Sequence, residues 1–448
     1  MTSPSLPALI TDVVAARARL TRRRGFEEPN LSPRAKEGIH RVFGADLSAD
    51  EVVGRILTDV RDEGDPAILR YSAAFDGGAP AELETPRERW DHALTAIDPD
   101  LRAALELAAE RIAAFHRKQV RTSWLDWAED GALGQIIRPL ERVGLYVPGG
   151  AAVYPSSLLM TAIPARVAGV REIIVCSPPQ PGGEVSSLIR AAAAIAGVDR
   201  VFRIGGVQAI GAMAYGTPTV PHVDKIYGPG NIFVVIAKQK VYGSVAIDQL
   251  PGPTETLLVA DDSADPELAA ADMLAQAEHD PMATAILITT SRALADAVQD
   301  ELPRQLALLE RADIAGQSLA TNGMIAVVPD VETAIDLANS YAPEHLCLLL
   351  RDPWAVLGMV RHAGGVFVGE DSPEALGDYT TGPSHVMPTG GTARFFSPIH
   401  VGEFVKTISV AAANRRALER LGPATIAIAR AEGLGAHAAS IERRLRRG

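Results

Sequence analysis

Apolar and polar positions change period along this chain. Up to about residue 140 the pattern is helical, interrupted by polar, proline-containing breaks. Between Pro99 and Gln119 the apolar positions Leu101, Leu105, Ala108, Ile112 and Phe115 step by four and three, which predicts a helix. From Arg142 onward short β-rich runs take over, each closing on a turn signal. They are Val143–Val147 before Pro148-Gly149-Gly150, Glu172–Cys176 before Ser177-Pro178-Pro179, Arg200–Ile204 before Gly205-Gly206, and Val223–Tyr227 before Gly228-Pro229-Gly230-Asn231. Their starts lie 29, 28 and 23 residues apart with Ala-rich helical stretches between, the rhythm of βαβ units in a parallel sheet. A second series, Thr256–Ala260, Ala283–Thr289, Met324–Val328, Leu346–Leu350 and Val366–Gly369, has the spacing that right-handed crossovers need. After Asp371 a Gly-, Pro-, Ser- and Thr-rich loop runs to about Ser397 and gives way to a helical tail. The expected class is α/β, with two parallel-sheet domains, a helical N-terminal segment and a helical C-terminal tail domain.

Composition narrows the function. The 448 residues carry a net charge of −12 with only 5% aromatics, a poor match to the basic footprint of nucleic-acid binding. The basic run Arg443 to Arg447 reads as a solvated tail. Val143 to Ala165 is free of charge and long enough to span a bilayer, but Pro148, Gly149, Gly150, Pro155 and Pro164 would break such a helix. No leader-like segment opens the chain, so a cytoplasmic, membrane-free location is expected. The two cysteines, Cys176 and Cys347, sit in strand-like runs and read as buried small hydrophobes in a reducing compartment.

Ligands of open parallel sheets bind beyond the carboxyl ends of the strands. In the first series those ends are Gly/Pro turns, of which Gly228-Pro229-Gly230-Asn231 is the best anion cradle, although no G-x-G-x-x-G fingerprint is present. Asp265-Pro266-Glu267 starts a helix that should end at Asp280-Pro281 and align Asp272, Gln276 and His279 on one stripe. In Tyr341-Ala342-Pro343-Glu344-His345 a carboxylate adjoins an imidazole, a pairing suited to proton transfer. Neighbours on an extended strand point to opposite faces, so both serve one site only if the turn is irregular. Asp378 and His385 in the long loop, and Glu432 and His437 near the end, add carboxylate and imidazole donors of the kind zinc accepts. Their spacing alone does not group them.

Taken in order, Val143–Gly150, Val223-Asp224-Lys225 with Gly228–Asn231, Gln276-Ala277-Glu278-His279, Tyr341–Leu346, Gly377-Asp378-Tyr379 with His385, and Glu432-Gly433-Leu434 with Ala436-His437-Ala438 resemble the L-histidinol dehydrogenase family from about residue 30 to the C-terminus. The resemblance implies a zinc-dependent, homodimeric enzyme that oxidises L-histidinol to L-histidine in two NAD-linked steps through the aldehyde. It implies that Gln276, His279 and Asp378 bind zinc with His437 of the other subunit. Glu344 and His345 would move protons, Tyr146, Gln208 and Asn231 would contact NAD, and Thr254, Gln276, His279, Glu344, Asp378, His385, Glu432 and His437 would surround the substrate. It further implies an incomplete Rossmann-like NAD-binding domain at 142–253. A discontinuous domain of 41–141 and 254–395 would carry the zinc and proton-transfer residues, with an N-terminal segment at 1–40 and a tail at 396–448 reaching the partner's site. Thr254 stands where the family usually has Ser, and Ser384 where it has Asn. That leaves open a related zinc/NAD dehydrogenase of another small polar alcohol, such as a sulfopropanediol.

Overall fold

The computed structural model describes residues 7–21, 31–76, 78–149 and 153–447. Residues 1–6 and 22–30 of the expected N-terminal segment and Gly150 of the first expected turn lie outside them. Among the described residues, fourteen strands, numbered along the chain, form three sheets.

Both expected series form parallel sheets. β4 (Arg142–Tyr146), β5 (Glu172–Ser177), β6 (Arg200–Arg203), β7 (Lys225–Tyr227) and β8 (Ala246–Ile247) lie in the order β6-β5-β4-β7-β8. Successive side chains face opposite layers: Val143, Leu145, Ile173 and Val175 enter one core, Tyr146, Ile174 and Cys176 the other. Both faces are covered, which is why these strands read as continuous apolar runs. The second sheet joins β1 (Ala8–Ile10), β9 (Glu255–Ala260), β10 (Thr284–Thr289), β11 (Met324–Val327), β12 (His345–Leu349) and β13 (Gly365–Val368) in the order β1-β11-β10-β9-β12-β13. The N-terminal segment thus supplies an edge strand, too short to show a period, as well as the helix Val13–Leu20.

The third sheet has no counterpart in the sequence reading. β2 (Trp124–Ala128), β3 (Gly131–Pro139) and β14 (Val405–Ala413) pair antiparallel in the order β14-β3-β2. The tail expected to be helical from residue 396 therefore opens with a nine-residue strand. Its Ala411-Ala412-Ala413 end favours helix locally, and pairing with a segment far earlier in the chain overrides that preference. Gly131, at φ 129°, permits the approach, since a Cβ there would stand 1.8 Å from the Ala412 carbonyl oxygen. Helices Arg415–Ala431 and Gly435–Arg446 then pack together as a hairpin.

The helices Ala49–Glu63, Asp65–Phe75, Arg87–Ala96 and Pro99–Arg117 cover the five-stranded sheet. Val53, Ile56 and Ile68 meet Ile174 and Phe202 on one face, while Trp90, Leu105 and Ile112 meet Val143 and Leu145 on the other. The cores therefore do not divide as the grouping of 41–141 with 254–395 supposed: periodicity marks an apolar face without saying which sheet it covers. The loop from Asp371 to Ser397 is also more ordered than expected, containing the helix Glu374–Tyr379 and a helical turn at Thr392–Arg394. Among the described residues, no helix is long and apolar enough to cross a membrane.

Candidate active site

β9 and β12 are hydrogen-bonded neighbours, with His345 opposite Thr256. This register brings the residues at the amino ends of the two strands together. Gln276 Nε2 donates to Thr254 Oγ1 at 2.6 Å, and Thr254 Oγ1 donates to Glu344 Oε2 at 2.6 Å. The Glu255 N–H adds a third link to Glu344 Oε2 at 3.0 Å. Burial raises the Glu344 pKa even against these donors.

An irregular turn resolves the geometric objection to Glu344 and His345 acting together. The helix Val331–Tyr341 ends on Ala342, which has φ 59° and ψ 65° and is the one non-glycine residue at positive φ among the described residues. An L-residue there costs about 1–2 kcal/mol. Glu344 precedes the strand instead of lying in it, and its Oε2 comes within 3.8 Å of His345 Nδ1.

His345 Nδ1 donates to the Glu255 carbonyl oxygen at 3.0 Å, which fixes the ring and leaves Nε2 as the other face. Nε2 is buried, has no hydrogen-bond partner and lies 3.8 Å from Asp378 Oδ1. Desolvation pulls the imidazole pKa down, but Glu344, Asp378 and Glu374 outweigh it and carry it to about 10. Burial pushes the Asp378 carboxyl up, and His345, His385 and His279 together bring it below its ordinary value. His385 Nδ1 donates to the Asp378 carbonyl at 2.7 Å, so its Nε2 accepts from Ser157 Oγ at 3.1 Å. Burial holds the His279 and His385 pKa values low and favours neutral rings.

The expected stripe along the helix that starts at Asp265-Pro266-Glu267 differs in one respect. Pro266–Ala277 ends before His279, which stays one turn from Gln276 through its N–H to the Gln276 carbonyl. Among the described residues Asp272 makes no hydrogen bond to the cluster, and burial, with the Glu370 carboxylate adding to it, raises its pKa to about 6.

At the first sheet the expected residues line the carboxyl edge. Tyr146 closes β4, and its hydroxyl accepts from the Gly206 N–H at 3.1 Å. Gln208 is buried and donates to Asp76 Oδ2 at 3.2 Å. Asn231 caps the helix Ile232–Val241 through the N–H groups of Phe233 and Val234. Gly228, at φ 113°, runs so close to β4 that a Cβ would lie 2.1 Å from the Tyr146 carbonyl oxygen. Its N–H and carbonyl are held by Asp248 and Lys238, a buried ion pair.

Residues 43–445 match the family model described as histidinol dehydrogenase. The chain is 54% identical over 433 residues to a histidinol dehydrogenase of Deinococcus radiodurans, covering 96% of this chain and 98% of that one. It is 53% identical to one of Thermus thermophilus, covering 90% and 96%. The crystal structure of histidinol dehydrogenase from Elizabethkingia anophelis superposes with a TM-score of 0.90 at 32% identity, covering 100% of this chain and 99% of that one. The chain belongs to the histidinol dehydrogenase family. Membership makes it an oxidoreductase and agrees with the α/β class seen here.

Against that family background, the structure draws Thr254, Gln276, Glu344, His345, Asp378, His385 and, through the field of Asp378, His279 into one cluster. It does not bring Glu432 and His437 there within the chain. Both are exposed on the C-terminal hairpin, which packs on itself and on β14. Sequence reasoning missed Ser157, Glu255 and Glu374. Burial raises the last two to about 7, and each has a buried oxygen without a hydrogen-bond partner. A carboxylate at the head of the apolar run Glu255–Ala260 was the available clue, since buried acids are rare.

The donor set suits a zinc ion: an amide oxygen, an imidazole and a carboxylate from Gln276, His279 and Asp378. Gln276 commits its amide nitrogen to Thr254, so the carbonyl oxygen is the atom left for a cation. Among the described residues, no group of three or more His, Cys, Asp or Glu is arranged to hold a metal ion. The close backbone at Gly228 suits a pyrophosphate.

Proposed function

We propose that this protein oxidises L-histidinol to L-histidine by two successive NAD-linked hydride transfers through L-histidinaldehyde, the last step of histidine biosynthesis, in the cytoplasm. The observation that carries this reading is the buried, unpartnered Nε2 of His345 beside the Glu344 carboxylate. Oxidising an alcohol needs a base for its hydroxyl proton, and oxidising an aldehyde to an acid needs water added first. In its neutral form, which a pKa of about 10 places at alkaline pH, His345 takes the hydroxyl proton as hydride leaves the carbon. Glu344, oriented by Thr254 and the Glu255 N–H, draws a proton from the water that adds to the aldehyde, while His345 gives its proton to the former carbonyl oxygen and is restored as a base. His345 then takes the proton of the hydrate in the second oxidation. Tyr146, Gln208 and Asn231 on the first sheet would hold NAD, which would supply the hydride acceptor. Zinc, when bound by Gln276, His279, Asp378 and the other subunit's copy of His437, supplies a Lewis-acid anchor for the imidazole and amino nitrogens of the substrate. Thr254, His385 and Glu432 complete the substrate contacts.

The surface supports reading the protein as a homodimer with shared sites. Trp127 (75% exposed), Leu133 (64%) and Ile428 (60%) leave the antiparallel sheet and the C-terminal hairpin with apolar area to cover, on the elements that carry or support Glu432 and His437. The deciding assay is NADH formation from L-histidinol against dihydroxypropanesulfonate, with and without chelator. Two NADH per histidinol, lost on chelation, are expected; faster turnover of the sulfonate would overturn the substrate assignment.

A further inference from the structure

At Gly228 side chains take over from the ladder of the first sheet. The last main-chain bond between β7 and β8 runs from the Asp248 N–H to the Ile226 carbonyl at 3.0 Å. Beyond it, Asp248 Oδ2 accepts from the Gly228 N–H at 2.8 Å, and Lys238 Nζ donates to the Gly228 carbonyl at 3.0 Å. Lys238 and Asp248 are hydrogen-bonded to each other, and Asp248 Oδ1 also accepts from the Gln249 N–H at 2.6 Å. The lysine side chain is 0% exposed and the aspartate 4%, so a single ion pair shielded from water holds both polar main-chain groups of one residue.

Lys238 reaches the turn from the helix that the turn starts. Asn231 caps Ile232–Val241, and the Lys238 side chain runs back along that helix to Gly228, closing turn, cap and helix into one unit. A buried ion pair is seldom the most stable filling for such a space, since apolar residues of similar volume often do as well or better. Here they would leave the Gly228 N–H and carbonyl unpaired, and the close approach to the Tyr146 main chain fixes this glycine from the other side. Tyr146 and Asn231 are two of the three residues assigned above to NAD, and the clamped residue lies against one and three positions before the other. We propose that Lys238 and Asp248 are positioning residues for the cofactor: by clamping Gly228 they set the Gly228–Asn231 backbone against Tyr146 in the form that receives NAD.

This assignment rests on the proposed NAD site, so its test includes an arm that needs neither turnover nor nucleotide. Either single substitution strands a buried charge and threatens the fold. The double variant Lys238→Met/Asp248→Asn removes both charges and the donor to the Gly228 carbonyl while keeping an acceptor for its N–H. In the full-length zinc-loaded enzyme its Kd for NAD, measured by titration calorimetry without substrate, is expected to rise at least tenfold, while KM for L-histidinol at saturating NAD moves less than twofold. Amide exchange at Gly228, Gly230 and Asn231 should quicken at least tenfold with no nucleotide present. A smaller rise in the NAD Kd, an equal rise in KM for L-histidinol, or unchanged exchange would each overturn the proposal. A fall in Tm with NAD affinity retained would mark the pair as structural only and overturn it too. Absence of NAD binding by the wild-type enzyme would instead overturn the cofactor site, and the exchange arm would still decide whether the pair sets the turn.

Discussion

The two parallel sheets present opposite edges to the space between them. In the first, Tyr146, Gly206 and Asn231 all follow the carboxyl ends of strands; in the second, Thr254, Glu255, Glu344 and His345 stand at the amino ends. The edges are tied where Ser157 at the start of helix Pro155–Ala168 meets His385, and where Gln249 Nε2 donates to the Met387 carbonyl at 2.8 Å. Helices run antiparallel to the strands they connect, so the carboxyl edge collects helix N-termini with partial positive charge and the amino edge collects helix C-termini with partial negative charge. The first edge suits a pyrophosphate, and its Lys238–Asp248 pair is spent internally on the Gly228 turn. The second suits cations, and it holds three histidines among carboxylates, of which burial raises the pKa of Glu255, Glu344 and Glu374. On the proposed function, the first sheet would bind the charged cofactor and the second would move protons.

That contrast breaks most sharply at His345. Replacing it with Asn keeps a donor toward the Glu255 carbonyl but removes the base, and both oxidations should fall by roughly 10²- to 10⁴-fold. Glu344→Gln should slow aldehyde oxidation while sparing alcohol oxidation. Single-turnover rates measured separately from histidinol and histidinaldehyde would show it; equal losses in both steps would merge the two roles. NAD affinity, assigned to the other sheet under the proposed function, should stay unchanged in either variant.

A smaller effect tests whether the cation edge is completed from outside the chain. His437→Ala should weaken zinc binding at least ~10-fold by metal analysis after dialysis, although His437 is exposed and stands on the C-terminal hairpin, outside the cluster. Full zinc content would remove His437 from the ligand set and leave the second sheet to hold its cation alone.

The nine strands of both parallel sheets that the sequence reading located lie within two residues of their expected starts, because apolar strands of three to six residues between Gly/Pro turns leave a dense local record. β2, β3 and β14 left none. Trp124-Leu125-Asp126-Trp127 and Val405–Ala413 are exposed on at least one face, and what makes them a sheet is pairing across some 270 residues. The site followed the same rule. Glu344 and His345 adjoin in sequence and were legible as a pair; Thr254, Gln276 and Asp378 join them only through the β9–β12 register, and it took the family resemblance to group them. Glu255 was overlooked because a carboxylate next to a Thr at a strand start carries no pattern until its burial is known.

The smallest expected effect lies on the cofactor edge, at Asp76. Its carboxyl is pushed from 3.8 up to about 6 by burial, against hydrogen bonds from Ser72, Gln208 and the Gly205 N–H. A pKa raised on folding means that the folded state holds the proton more tightly. The stabilisation is complete below the unfolded value of 3.8 and is lost as pH rises through about 6. At pH 8 the ionised, partly buried carboxylate therefore costs about 1–2 kcal/mol relative to a neutral group. Asp76→Asn preserves an acceptor for Gln208 Nε2 and should raise Tm by about 1–3 °C at pH 8 and not at pH 4. A gain of the same size at both pH values would mean that the benefit came from packing, and the first edge would then be free of titration throughout.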